Sequence, residues 1–181
     1  MASATGRQTK AVMGFVFVLL LLASSFAETA DAVSRRDIRR ALKKIRRSPR
    51  LRAFNFKSFL EKFVLLAINQ DGPITLFLPT DPYTMYMAYS NGYTLTDFTT
   101  LGQNNMLPEY HLYKDFANAA AGTSYTTVLG EAVKKWNGKA TQLVAFKAAK
   151  GLPSLVIWPN MFKGDTLVIH LTALALIPSS M

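Results

Sequence analysis

The sequence predicts an α+β domain with a mostly antiparallel sheet. Apolar residues at helical spacing gather in its first half, and short β-rich runs bounded by turn residues fill the second. The chain has 181 residues, half of them hydrophobic, with no internal repeat and no low-complexity linker. That is enough apolar material for one core and one domain.

The first helix is expected from Ser34. Ser34-Arg35-Arg36-Asp37 has the form of a capping box, and Ile38, Ala41, Leu42 and Ile45 follow at i, i+3, i+4, i+7. Pro49 ends it. Phe56, Phe59, Leu60, Phe63, Val64 and Ala67 mark a second helix, with Asn55 as its cap. Residues 69–73 read as a turn, and Ile74 to Leu78 as a buried strand too short for a helix. Pro79 closes or bends that strand, because it has no N–H for a ladder. Asp81 then caps a helix that tolerates Pro82 at its first position. Ser90-Asn91-Gly92 ends that helix, with Gly92 suited to a left-handed conformation.

Thr94 to Leu107 reads as a weak helical region broken by Gly102 and Pro108. The strands expected beyond it are Thr126 to Leu129, Glu131 to Trp136, Lys139 to Phe146, Leu155 to Trp158, Thr166 to Leu171 and Ala173 to Ile177. Asn137-Gly138 is a two-residue hairpin signal between the second and third of these.

Residues 1–27 read as a signal peptide. Arg7 and Lys10 precede the apolar run Ala11 to Leu22, and Ser25-Phe26-Ala27 offers a cleavage site, with Ala30-Asp31-Ala32 as a second. The run is short for a membrane span, so secretion is expected, and an uncleaved anchor is the alternative. The chain has no cysteine, which excludes disulfides and cysteine-based metal or redox chemistry.

Charge is concentrated in one segment. Residues 35–52 hold ten cations against one acid, a net +9, whereas residues 53–181 hold nine lysines against eight acids, a net +1. Docking of Ile38, Ala41, Leu42 and Ile45 would turn Arg36, Arg39, Arg40, Lys43, Lys44, Arg46 and Arg47 outward as a polyanion-binding band. A merely solvated face usually mixes signs.

His111 and His170 are the only histidines, too few for most metal sites, and no metal or cofactor is expected. An acid–base pair of His111 and Asp81 is weighed against hydrogen-bonded core histidines, and the core reading is preferred. Tyr83, Tyr86, Met87 and Tyr89 could form a ligand shelf, although such a stripe is more often core or wet edge.

Four stretches resemble motifs of the fasciclin domain family. TLFLPTD at Thr75 to Asp81 resembles its first signature, through Thr80 and Asp81. EYHLY at Glu109 to Tyr113 resembles its Tyr-His motif, through Tyr110 and His111. SYTTVLGE at Ser124 to Glu131 is similar to the family's Thr-Leu-Leu-Gly stretch, and LVIHLTALALIP at Leu167 to Pro178, with His170, resembles the closing signature. The resemblance implies a fasciclin-type wedge of about seven mostly antiparallel strands with packed helices. The implied division is a signal peptide at 1–27, a short mature segment at 28–35, one fasciclin domain at 36–178 and a tail at 179–181.

The chain departs from the family pattern at Leu78, where a small residue is usual, at Pro108, which interrupts the approach to Tyr-His, and at Ala173, where the closing signature has Asp. Pro159-Asn160-Met161 lacks the acid of the Pro-Asp-Ile integrin motif, so integrin binding by that route is not expected. No Asn lies two residues before Ser or Thr, so N-linked sugar is not expected. A lipid-anchor reading of the apolar C-terminus is rejected, because it coincides with the closing strand.

The resemblance implies a non-enzymatic cell-adhesion module of the extracellular matrix or cell wall. With the basic helix, the expected partner is an acidic polysaccharide or another matrix component, and not nucleic acid. The alternative is a membrane-surface or antimicrobial-type protein that inserts the helix into anionic lipid.

Overall fold

The computed structural model describes residues 32–52, 57–89, 92–136 and 143–181, all within a compact unit spanning Asp31–Met181. The signal-peptide reading of 1–27, the Asn55 cap, the Ser90-Asn91 helix end and the Asn137-Gly138 turn lie outside the described residues.

The architecture is α+β. Helices α1 (Arg35–Arg47), α2 (Pro49–Arg52) and α3 (Lys57–Leu65), with a 3-10 turn at Leu66–Asn69, precede β1 (Ile74–Pro79). Next come α4 (Pro82–Tyr89), α5 (Leu95–Asn104), β2 (Met106–Leu107) and α6 (Tyr113–Asn118). The chain closes with β3 (Ser124–Thr126), β4 (Ala132–Trp136), β5 (Ala145–Lys147), β6 (Ser154–Lys163) and β7 (Leu167–Thr172). They form one seven-stranded sheet in the order β2-β1-β7-β6-β5-β4-β3. β1 and β7 run parallel, and the other neighbours pair antiparallel.

Every residue of β1 and β7 is buried, which is why both read as nearly continuous apolar runs. Alternation along β1 serves two cores. Ile74, Leu76 and Leu78 join Leu167, Ile169 and Leu171 beneath Ile38, Ala41 and Ile45 of α1 and Phe59, Leu60 and Phe63 of α3. Phe77 joins the second core with Phe116, Val133 and Phe146, its ring 4.7 Å from that of Phe146.

Several expectations need correction. The described part of β4 ends at Trp136, whose partner in β5 is Ala145, not the closer residue that a two-residue turn would place opposite it. Residues 173–177 are not a strand. Asn105 holds this segment through reciprocal bonds with the Leu176 backbone, and Asn104 adds a third, at 2.8 to 3.1 Å. The expected strand at Thr126 to Leu129 is displaced to Ser124–Thr126, and β6 runs ten residues through Pro159. Irregular β6–β7 register around Trp158 accommodates that proline.

Gly102 lies inside α5 and does not break it. A Cβ there would stand 2.2 Å from Leu66 Cδ1, so glycine lets the helix pack on the 3-10 turn. Gly92 is not left-handed; it is the site of a close approach, where a Cβ would meet Met87 Cε at 2.7 Å. The packed chain also reaches past 36–178. Val33 is buried, and Ser179 donates its N–H and hydroxyl to the Glu131 carboxylate.

Candidate functional site

The basic helix is fixed from below by its apolar stripe and its one acid. Ile38, Ala41 and Ile45 are fully or almost fully buried, and Leu42 is half-buried against the same core. The Ser34 hydroxyl caps the helix by accepting from the Arg36 N–H. The reciprocal half of the expected capping box is absent. Asp37 is buried, and its Oδ2 accepts from the backbone amides of Asp165 and Thr166, each at 2.8 Å, and from the Thr166 hydroxyl at 3.1 Å. The Ser34 N–H goes instead to Thr166 Oγ1 at 2.8 Å. The acid of the first turn therefore ties α1 to the β6–β7 turn. Gly164 makes the approach feasible, since a Cβ there would lie 2.4 Å from the Asp37 carboxyl carbon.

With that underside fixed, Arg36, Arg39, Arg40, Lys43, Lys44, Arg46 and Arg47 are all exposed. Arg46 is held by a bidentate pair with Glu61, at 3.0 and 2.8 Å, which raises its pKa and partly neutralises it. Among the described residues none of the other six has an acidic partner. Lys44, Arg46 and Arg47 also lie on the last turn, where the helix dipole favours cations. Beside them the Arg50 guanidinium stands over the Trp158 ring at 5.3 Å from its centroid. Arg40, Lys43, Lys44 and Arg47 line a depression of ≈ 440 Å³ against Trp158.

The family-motif residues lie elsewhere and hold the fold together. Thr80 donates its hydroxyl to the Thr172 carbonyl at 3.0 Å. Asp81 caps α4, accepting from the Thr84 N–H at 2.6 Å, and its other oxygen accepts from the Ala175 N–H at 3.1 Å. The Tyr110 hydroxyl donates to the Gly164 carbonyl, and partial burial together with the Asp37 and Asp165 charges raises its pKa.

His170 is fully buried. Its Nδ1 accepts from the Asn160 N–H at 3.1 Å, and Nε2 faces the His111 carbonyl at 3.0 Å as donor. Burial lowers its pKa to about 4, so the ring is neutral at physiological pH. Asn160 supplies that N–H from a left-handed conformation, φ 47°. The His111 imidazole packs on Phe116 and Tyr125 and meets the exposed Glu109 carboxylate at 3.1 Å. The acid–base alternative does not assemble: both Asp81 oxygens accept backbone amides, and His111 pairs with Glu109. Among the described residues no cluster of three or more metal-ligating side chains occurs. Of the tyrosine shelf, Tyr86 is exposed, whereas the side chains of Tyr83 and Tyr89 lie outside the described set.

Two positions escaped the sequence reading. Thr75 Oγ1 donates to the Glu109 carbonyl and accepts from the His111 N–H, both at 2.7 Å, and so binds β1 to the Tyr-His loop. Lys135 is buried and donates to the carbonyls of Ala117 and Ala119. The strict inward alternation of β4 was the available signal for it.

No family model matches the chain, and neither does any curated protein sequence. Among solved structures it is similar to a FAS1 domain pair from the insect cell adhesion molecule fasciclin I, at 12% identity and a TM-score of 0.46. That similarity covers 77% of this chain, which spans only 45% of the length of the solved pair. Among the described residues, no helix is long and apolar enough to cross a membrane.

Proposed function

We propose that this chain is a secreted, non-enzymatic adhesion module of fasciclin type that holds acidic polysaccharide of the matrix or cell wall through α1. The observation that carries the proposal is the division of α1 into two faces. Its apolar stripe and single acid are turned into the fold, and six cations without acidic partners face solvent. The fasciclin-like motifs at Thr75 to Asp81, Glu109 to Tyr113 and Leu167 to Pro178 supply the adhesion class.

Thirteen residues of helix at about 1.5 Å each span about 20 Å, long enough to follow several charges of an extended polyanion. Exposed charges are screened beyond about 8 Å at physiological salt, so recognition requires contact. Insertion into lipid would need Ile38 and Ile45 free, and both are packed in the core.

The test is polygalacturonate binding across a salt series, for the native chain and for a variant with Arg39, Arg40, Lys43 and Lys44 changed to Gln. Counterion release makes the native affinity fall steeply with salt, and the variant should bind more weakly with a shallower slope. Equal affinity and slope in the two proteins would refute the proposal. Anionic vesicles serve as the second probe, and tighter binding to them than to the polysaccharide would shift the assignment to a membrane surface.

A further inference from the structure

The sheet carries a second cationic face, remote in sequence from α1. β4 and β5 pair so that Lys134 stands directly opposite Lys147. Both are exposed, and neither has an acidic partner among the described residues. Like charges placed directly opposite across two strands destabilise a sheet. Two residues beyond Lys134 on the same face, Trp136 leaves 45% of its surface exposed. Lys135, between them, points the other way and donates to the carbonyls of Ala117 and Ala119.

Small residues complete the surroundings. Ala121, Gly122, Ala132 and Ala149 leave a depression of ≈ 530 Å³ beside the two ammonium groups and the indole. That volume lies within the range of about 300–1,000 Å³ usual for small-ligand sites. None of the residues lining it is acidic.

We propose that this face is a second binding site, for an acidic sugar of one to a few rings. The two ammonium groups meet the carboxylate or sulfate, and Trp136 presents its indole to the C–H face of the ring. The adverse Lys134–Lys147 pairing then has a use, because a bound anion between the strands converts repulsion into two ion pairs. A single exposed aromatic favours a sugar over a single-stranded nucleic acid, whose successive bases stack on several such rings. The site does not depend on α1 and would stand if the function proposed for α1 failed.

Trp136 and Trp158 are the only tryptophans, so a Trp158→Phe background makes Trp136 the sole indole reporter. In that background, trigalacturonate should shift Trp136 emission saturably. Changing Lys134 and Lys147 to Gln should weaken this response about tenfold or more, a loss of about 1.4 kcal/mol. Changing Arg39, Arg40, Lys43 and Lys44 to Gln should leave it within about threefold, since those groups lie outside the depression.

Lys147→Glu separates function from folding. It replaces a repulsive pair by an attractive one, so it should raise Tm while abolishing the Trp136 response. An unresponsive Trp136, loss of its response in the α1 variant, or unchanged binding by Lys147→Glu would overturn the proposal. Tighter binding of oligothymidylate than of trigalacturonate would overturn it in favour of nucleic acid.

Discussion

The carboxylate of Asp37 and the backbone amide of Thr166 meet at 2.8 Å across 129 residues of sequence. Asp37 is the only acid among the ten cations of residues 35–52, and it faces the fold. The orientation of α1 therefore depends on a bond to the turn before β7 as well as on its apolar stripe.

Replacing Asp37 by Ala should lower stability by about 1–3 kcal/mol, because two part-buried amides and a hydroxyl lose a charged acceptor. Asp37→Asn keeps one acceptor and should lose less. Urea denaturation provides the measurement, and an unchanged midpoint in Asp37→Ala would show that the bond contributes nothing.

Gly164→Ala should cost about 1–3 kcal/mol, since its new methyl group would overlap the Asp37 carboxylate. Made in the Asp37→Ala background, the same change should cost clearly less. A double-mutant cycle measures this coupling, and strict additivity would mean that the contact is not where the strain arises.

His170 makes stability depend on pH. Its folded pKa of about 4 lies below the ordinary 6.5, so the unfolded chain takes up the proton first. The contribution is complete above pH 7 and is lost as pH falls from 6.5 toward 4. At about 1.4 kcal/mol per pH unit in that window, the loss by pH 5 is about 2 kcal/mol. His170→Gln should be less stable at pH 7 yet lose about that much less between pH 7 and pH 5. Parallel stability curves for the two proteins would contradict the assignment of a neutral, buried ring.

Thr75→Val should destabilise by about 2 kcal/mol, leaving the Glu109 carbonyl and the His111 N–H without their shared hydroxyl. His111→Ala should cost about 1–2 kcal/mol through lost packing against Phe116 and Tyr125. Of the two histidines expected as hydrogen-bonded core residues, His170 is fully buried and bonded at both ring nitrogens. The His111 ring is part-exposed and meets Glu109, while its main chain bonds Thr75 and His170. A Thr75→Val variant as stable as the native chain would remove the hydroxyl clamp from the account.

Local signals were legible wherever the local sequence decides the outcome. The stripe Ile38, Ala41, Ile45 declares α1, the run Ile74 to Leu78 declares β1, and Asp81-Pro82 declares the start of α4. Long-range partners decide the rest. Asp37 read as a capping residue because Thr166 is invisible from Ser34. Residues 173–177 read as a strand because an apolar run does not reveal that Asn104 and Asn105 will satisfy its backbone. The pairing of Trp136 with Ala145 was hidden for the same reason, since that register is the one that buries Phe146 opposite Lys135. The outward cations of α1 could be read from its helical period alone. The Lys134–Lys147 face could not, because it exists only once two strands are in register.

β7 lies between β1 and β6, yet it is the last strand in sequence. While the chain is being made, β1 therefore waits with an open edge until some ninety residues later its parallel neighbour emerges. The turn that receives Asp37 appears at the same late moment, immediately ahead of β7. A nascent chain stopped before residue 165 would carry all ten cations of residues 35–52 on a segment without its Asp37 anchor and beside an apolar strand paired on one edge only, by the short β2. Such a fragment is a substrate for chaperones and proteases, and the cationic surface acquires its fixed outline only when synthesis has passed the end of the sheet.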